Sequence, residues 1–323
     1  SVMEVLEKSP GIFVDQDGNI SMNGKSGVNV MINGQPTHLS ASQLATILKS
    51  MPASSVSQIE LMTQPPVKYS AEGTAGLINI VLKKNTNMGF NGSLTAGAGY
   101  GQYAKYNSGG SLNYKNKHFS LYSNYNFAHT NNKFEMDIDR YFYETNTKIL
   151  QTQMQQSSIM KILNNNNTAQ LGMDFYLTPK QTIGFVTNGS FNQGDFNTYS
   201  PVHFVDGSGN TDSISTSTNH IGYNWQNAGA NLHYNIDMDK GSSLTANLDY
   251  NRFYQSMPQS LYTNVTDSLG NTLHDPDQHK GTQPSTINIY AVKLDYVHPF
   301  KNQVKLSAGL KYSFVNSDNN SQF

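Results

Sequence analysis

The side chains best suited by type to do chemistry are His274, Asp275, Asp277 and His279, in the run LHDPDQHKG. Carboxylate and imidazole groups at this spacing can chelate a divalent ion locally. Pro276 and Gly281 in the same run favour a polar surface loop instead, so the four residues are metal candidates and no metal is assigned. Asp206, Ser208, Asn210 and Asp212 in VDGSGNTDS begin like a calcium loop, but no Glu stands at the twelfth position. A hairpin turn within a long loop is the better reading. Gly97, Gly99 and Gly101 are followed by no helix, so they are not a phosphate-binding loop. The chain has no cysteine, which excludes disulfides, thiolate nucleophiles and cysteine zinc sites. Its nine histidines are scattered and no Ser-His-Asp set can be drawn. No catalytic residue and no cofactor is assigned, and the chain does not read as an enzyme.

The elements that would position these residues fall into two unlike halves. Over all 323 residues, hydrophobic content is 37% and charged content 13%, both low for a water-soluble globular protein. Asn, Ser, Thr, Gln and Gly supply the polarity, and 11% aromatic residues argue against disorder. A net charge of −1 gives no reason to expect a nucleic-acid partner. No run of about 18 apolar residues exists, so no transmembrane helix is expected. The N-terminal SVMEVLEKSPG has neither the basic nor the apolar region of a signal peptide, and the chain reads as part of a longer precursor.

The first eighty or so residues read as a small mixed unit, enough for a modest core. Val2, Val5 and Leu6 form a helical stripe that Pro10-Gly11 ends. A hairpin is signalled at Asp17-Gly18-Asn19, and a strand at 28–36 ends in Asn33-Gly34. Ser40 and Gln43 fit a capping box ahead of Leu44, Ile47, Leu48 and Met51 at helical spacing, with Pro52 as the stop. Strands at 57–62 and 77–82 flank a Pro65-Pro66 break and a Gly-rich turn.

From Met88 onward the period is two. Phe90, Leu94, Ala96, Ala98 and Tyr100 share one face, and arms of the same kind recur to Phe314, about nine in all. Short connections are expected near 115–117, 178–181, 237–243 and 300–303, and long loops at roughly 130–167, 197–224 and 256–286. Short turns on one side and long loops on the other, with Tyr and Phe near strand ends, are the pattern of an outer-membrane barrel. Trp225 with Tyr223 reads as a membrane-interface anchor. The terminal VNSDNNSQF does not alternate and reads as a loop.

The segments LEKSPGIFVDQDGNISMNG, VNVMINGQP and IELMTQPPVKYSAEGTAGLINIVLKK resemble, in order and spacing, the plug domain of TonB-dependent outer-membrane receptors, most closely the Bacteroidetes-type branch. The matching positions are Pro10, Gly11, Asn33, Gly34, Ile59, Glu60, Pro65, Tyr69, Gly73, Gly76 and Asn79, which the resemblance makes structural or gating residues. Asn23-Gly24-Lys25 stands where many plugs carry Arg-Gly, which leaves an ionic lock to the wall without its usual arginine. The resemblance implies an α+β plug domain over residues 1–84, truncated at its N-terminus, and an incomplete up-and-down antiparallel transmembrane β-barrel over residues 85–323. Gly97, Gly99 and Gly101 are then small residues facing the plug. A signal peptide and a TonB box are expected upstream. The implied function is import of an external ligand in a bacterial outer membrane, driven by the periplasmic energy-coupling protein TonB. The partners are outer-membrane lipid, TonB, a ligand that the sequence does not identify and a surface lipoprotein. The alternative is a non-transporting structural or assembly component that retains the plug.

Overall fold

A computed structural model describes residues 1–15, 18–32, 35–37, 44–45, 48–49, 51, 53, 56–63, 76–82, 88–300 and 304–322. The N-terminal unit starts with helix α1 (Val2–Glu7). Ser1 caps it, its Oγ accepting from the Glu4 amide, and Val2, Met3 and Leu6 point inward. Strands β1 (Ile12–Val14) and β2 (Ile20–Met22) form a hairpin. Strands β3 (Asn29–Ile32), β4 (Gln35–Pro36), β5 (Val56–Met62) and β6 (Leu77–Leu82) make a four-stranded sheet in the order β4-β3-β6-β5. β3 runs parallel to β6, which a hairpin cannot provide, so a crossover must join the two edges of the fold. Leu44, Ala45, Leu48 and Lys49 on that crossover are helical. Leu44, Leu48 and Met51 join Val30, Ile78 and Ile80 in one apolar cluster with α1 and the hairpin. Each such side chain, fully buried, contributes about 1.5–3 kcal/mol. The expected capping pair Ser40 and Gln43, and Ile47, lie outside the described residues.

The rest of the chain is antiparallel sheet. Its strands are β7 (Gly89–Tyr100), β8 (Ala104–Lys115), β9 (Phe119–Tyr143), β10 (Leu150–Thr178), β11 (Gln181–Asp206), β12 (Thr211–Asp237), β13 (Ser243–Ser256), β14 (Gln259–Asp267), β15 (Asp277–Gly281), β16 (Ser285–Pro299) and β17 (Lys305–Asn319). The path β7 to β13, then β16 and β17, pairs each strand with the next, and β14 and β15 extend it beside β12. β7 and β17 are the two edges, so the sheet is open among the described residues.

Register gives each strand a lipid face. The exposed apolar residues of β12, Ala228, Ala230 and Leu232, alternate with buried Trp225, Asn227 and Gly229. On the outward face two aromatic rows appear. Tyr114, Phe119 and Phe175 meet successively with tilted rings, 5.4 and 6.4 Å between centres, near the short turns. Tyr250, Tyr290 and Phe314 meet at 5.0 and 6.3 Å between ring centres farther up, where Tyr106 also meets Phe127 at 5.9 Å. From Phe119 to Phe127 the strand advances about 27 Å, or about 20 Å along the membrane normal at the usual tilt. That suits an outer-membrane apolar band bounded by two girdles.

The three long loops expected from the sequence are strands over most of their length. The β9–β10 ladder continues to Tyr143 opposite Leu150, and β11–β12 continues to Val205 opposite Thr211. In the third case β13 and β14 follow one another along the same edge of β12, broken only around Pro258, which has no amide to donate. Above the girdle both faces meet water, so alternation of apolar residues is no longer required and its absence misleads. β17 likewise runs through Val315–Asn319, the stretch expected to be a loop, paired as far as Ser285 opposite Asn319.

One turn closes three of these hairpins. Asp15, Asp206 and Asp267 each accept, through Oδ1, the amide of the residue four positions on: Asn19, Asn210 and Asn271, at 2.8, 2.9 and 2.8 Å. The residue between, Gly18, Gly209 or Gly270, has φ of 85°, 88° or 88°, where a side chain is strained. Asp206 is therefore committed to its own turn, and the calcium-loop resemblance has a structural cause. Backbone hydrogen bonding from Asn210 holds the Asp206 carboxyl below its ordinary value of 3.8, and the Asn271 side chain does the same for Asp267. A depressed carboxyl contributes stability that is complete above the unfolded value and disappears as pH falls through the folded one. We expect amide exchange at Ser208, Asn210, Leu269 and Asn271 to accelerate as pH drops below about 3.8, beyond the intrinsic pH trend shown by an unfolded peptide. Unchanged protection there would contradict the assignment.

Candidate functional site

The inward faces of β9 to β12 carry small polar residues in register. Asn126, Thr168, Ser190 and Asn227 lie opposite one another along one row. The next row holds Asn166, Asn192 and Trp225. All seven are buried, Asn166 and Asn192 to 1% exposure. Trp225, at 6% exposure, belongs to the apolar cluster of the N-terminal unit, and Tyr223 packs against that cluster. Tyr223 also meets the Phe196 ring at 5.1 Å. Trp225 is thus an inward contact with the N-terminal unit, which corrects the membrane-interface reading. Parity decides this: on β12 the odd positions face inward, and the lipid face belongs to Ala228, Ala230 and Leu232.

Beside Trp225 and Tyr223 the wall is polar and, among the described residues, imperfectly paired. Thr168 Oγ1, Ser190 Oγ and both amide atoms of Asn192 are buried with no hydrogen-bond partner among the described residues. Each such group costs about 1–3 kcal/mol relative to a paired one. The Asn-rich run 164–167 escaped sequence reasoning because it fell within an expected loop; its continuation at period two through Thr168, Gln170 and Gly172 was the available signal.

Nearer the short turns, His233 Nε2 lies 2.9 Å from Asp174 Oδ1, with both side chains largely buried. The two belong to β12 and β10, with β11 between them. Gly184 opposes both residues in the register. A Cβ at Gly184 would overlap Asp174 Oδ1 and stand 2.6 Å from His233 Nε2, so only glycine leaves room for the pair. His233 Nδ1 reaches Asn231 Oδ1 at 3.1 Å, and Asn231 Nδ2 donates to Asp249 at 2.7 Å. The wall can therefore hydrogen-bond and hold charge across three strands.

Of the residues singled out in the N-terminal unit, Asn79 is buried on β6 opposite Glu60 on β5, and its amide donates to Glu60 Oε2 at 2.8 Å. Ile59 faces Ile80. Pro10 follows α1, and Gly11 has φ of 76° with Asn23 against it. Gly76 has φ of 117° at the start of β6. Asn33, Gly34, Pro65, Tyr69 and Gly73 lie outside the described residues. Asn107 packs on Gly97, but open space surrounds Gly99 and Gly101, so the last two face no packed neighbour among the described residues. The structure does not gather His274, Asp275, Asp277 and His279. All are exposed, and the His274 ring meets the Asp275 carbonyl. Among the described residues no three such groups lie together.

Residues 234–323 match the outer membrane protein beta-barrel family. No curated protein matches the chain in sequence. Among solved structures, FpvA of P. aeruginosa, determined with heterologous pyoverdines, superposes at TM-score 0.53 and 10% identity, over 99% of this chain and 50% of that one. The ferric citrate transporter FecA gives 0.49 and 12% over 99% and 54%. BauA, the ferric preacinetobactin receptor of Acinetobacter baumannii, gives 0.45 and 12% over 99% and 57%. The fold argument rests on FpvA, the one of the three above 0.5, and the chain spans 50 to 57% of the length of these proteins. The chain is an antiparallel β-sheet protein of a bacterial outer membrane, and its structural neighbours are TonB-dependent siderophore receptors.

Proposed function

We propose that residues 1–84 are the plug, and residues 85–323 the first part of the barrel, of a receptor that imports an external ligand by TonB-coupled plug movement. The observation that carries this reading is the contact between the two parts. Trp225 joins the apolar cluster of the N-terminal unit and Tyr223 packs against it, while buried polar groups with no partner among the described residues occupy the wall around them. When the unit moves, water can satisfy those groups, so displacement costs less than opening a dry core of equal area. In lipid the free edges of β7 and β17 require partners, because unpaired backbone groups cannot face hydrocarbon. Further wall strands between those edges meet that need. By analogy with FpvA, a ferric siderophore is the first ligand to try.

The test is uptake of radiolabelled ferric siderophores by cells expressing the complete protein, with and without a functional energy-coupling protein. We expect uptake to fall at least tenfold in the uncoupled cells while surface binding persists. Undiminished uptake would overturn the coupling. Neither uptake nor binding of any siderophore would move the ligand assignment to another class. Substitutions at Ile59, Glu60, Gly76 and Asn79 test the gating role of the plug residues in the same assay.

A further inference from the structure

Above the upper aromatic girdle, on the outward flank of the sheet, a groove crosses β10, β11, β12, β14 and β15. Two cavities of about 360 and 420 Å³ form it, and they share His220 and Ser260. Lys161 stands at one end and Lys280 at the other. Tyr199 and Tyr262, both well exposed, lie along the first cavity, and Gln259 lies along the second.

The direction this groove faces follows from register. On β10 and β11 the odd residues are lipid-facing, as Leu171 and Phe185 are. Lys161 and Tyr199 share that parity. His220 shares the parity of Ala228 and Leu232 on β12, and Ser260 and Tyr262 lie opposite His220 and Thr218. Height follows from the same ladders. Phe127 of the girdle is level with Asn167, Phe191 and Gln226 in turn. Lys161, Asn197 and His220 each lie six residues farther from the short turns, about 20 Å along the strand and about 15 Å above the girdle. A barrel's outer surface at that height, in an outer membrane, is flanked by the sugar and phosphate headgroups of outer-leaflet glycolipid. The interior solute path lies on the other face of the sheet.

The lining has matching chemistry. Neither Lys161 nor Lys280 is ion-paired among the described residues. Lys161 Nζ stands over the Tyr103 ring, 6.0 Å from its centre. His220 Nδ1 meets Asn197 Oδ1 at 2.7 Å and Nε2 lies 3.7 Å from Asp195, while on the neighbouring β9 Glu135 stands opposite Ile159 and is paired with Lys133. Tyrosine rings offer flat apolar faces with a polar tip, amides and hydroxyls can bond sugar hydroxyls, and an ammonium group binds phosphate as a point charge. We propose that this groove binds the phosphorylated sugar headgroup of an outer-leaflet glycolipid, fixing the barrel's neighbouring lipid independently of transport.

The experiment uses the complete protein, delipidated in neutral detergent and titrated with purified phosphorylated outer-membrane glycolipid under native mass spectrometry. Binding should weaken about tenfold for the dephosphorylated glycolipid and for the Lys161→Gln, Lys280→Gln double variant. Tyr199→Ala should weaken it severalfold, and Lys117→Gln, in a turn at the opposite end, should not. Heat-dependent gel mobility checks that each variant is folded. Equal binding by all forms would overturn the proposal. So would displacement of the glycolipid by free inorganic phosphate at equal concentration, because the sugar would then contribute nothing. Loss of a co-purifying surface protein from the double variant, with glycolipid retained, would assign the groove to a protein partner and overturn it as well.

Discussion

Trp225→Ala is expected to loosen the N-terminal unit from the barrel wall without unfolding the barrel. Among the described residues Trp225 is the one wall residue buried within that unit's apolar cluster. Truncating a buried tryptophan typically costs about 3–5 kcal/mol, the lost transfer energy plus the cavity left behind. A domain of this size has about 5–15 kcal/mol in total, so the loss is a large fraction of what holds the unit in place. The polar rows on either side offer little compensation, since Thr168, Ser190 and Asn192 hold atoms with no partner among the described residues. Hydrogen exchange of the complete protein should show faster exchange at Val30, Ile78 and Ile80, with the β9–β12 ladder unchanged. Influx of a large antibiotic that intact outer membranes exclude should rise severalfold. Trp225→Phe, which keeps most of the apolar volume, should restore most of the protection. Equal protection in the alanine variant would show that the cluster is held by contacts other than Trp225.

Gly76→Ala is expected to damage the N-terminal unit from within. Gly76 has φ of 117°, a conformation that side chains rarely adopt. Its added Cβ would stand 2.7 Å from the Met62 carbonyl oxygen and overlap Met22 Cε. The methionine end can swing away, but the carbonyl is backbone of the β5 edge and cannot. Relief would have to come from β6, whose Leu77 and Ile78 are among the most buried side chains of the cluster. The Gly76 carbonyl also accepts the Asn29 amide at 3.2 Å, so a shift there loosens the parallel pairing of β3 with β6. Backbone strain of about 1–3 kcal/mol and overpacking of about 1–3 kcal/mol add at one site. Denaturant unfolding followed at Asn79 and Ile80 should move to markedly lower concentration. Gly24→Ala is the control: φ is similarly positive at 76°, but nothing lies within 4 Å of the added Cβ. If both variants behave alike, crowding at Gly76 is not the cause.

The sequence alone determined the strand faces, the short turns near 115–117, 178–181 and 237–243, and the helical stripes of the N-terminal unit. These rest on local rules. A strand in lipid must alternate, because its outer face meets hydrocarbon and its inner face does not; Phe90 to Tyr100 and Ala228 to Ile236 show it plainly. A helix with one buried face repeats near 3.6, and the Val2 and Leu6 stripe and the Leu44 and Leu48 pair obey. Above the girdle the lipid constraint ends and the signal ends with it. That is why 130–167 and 197–224 read as loops although their ladders continue almost to the tips, with a register shift near each end. Only the tertiary structure decided which way Trp225 points, because an aromatic near a strand end is equally good as a membrane anchor or as an inward contact, and register with Asn192 and Asn166 settles it. Only the structure joined Asp174 to His233, 59 residues apart, across the gap that Gly184 leaves. Such pairs depend on two strands meeting a third in one register, and no property of either residue's neighbours along the chain encodes that.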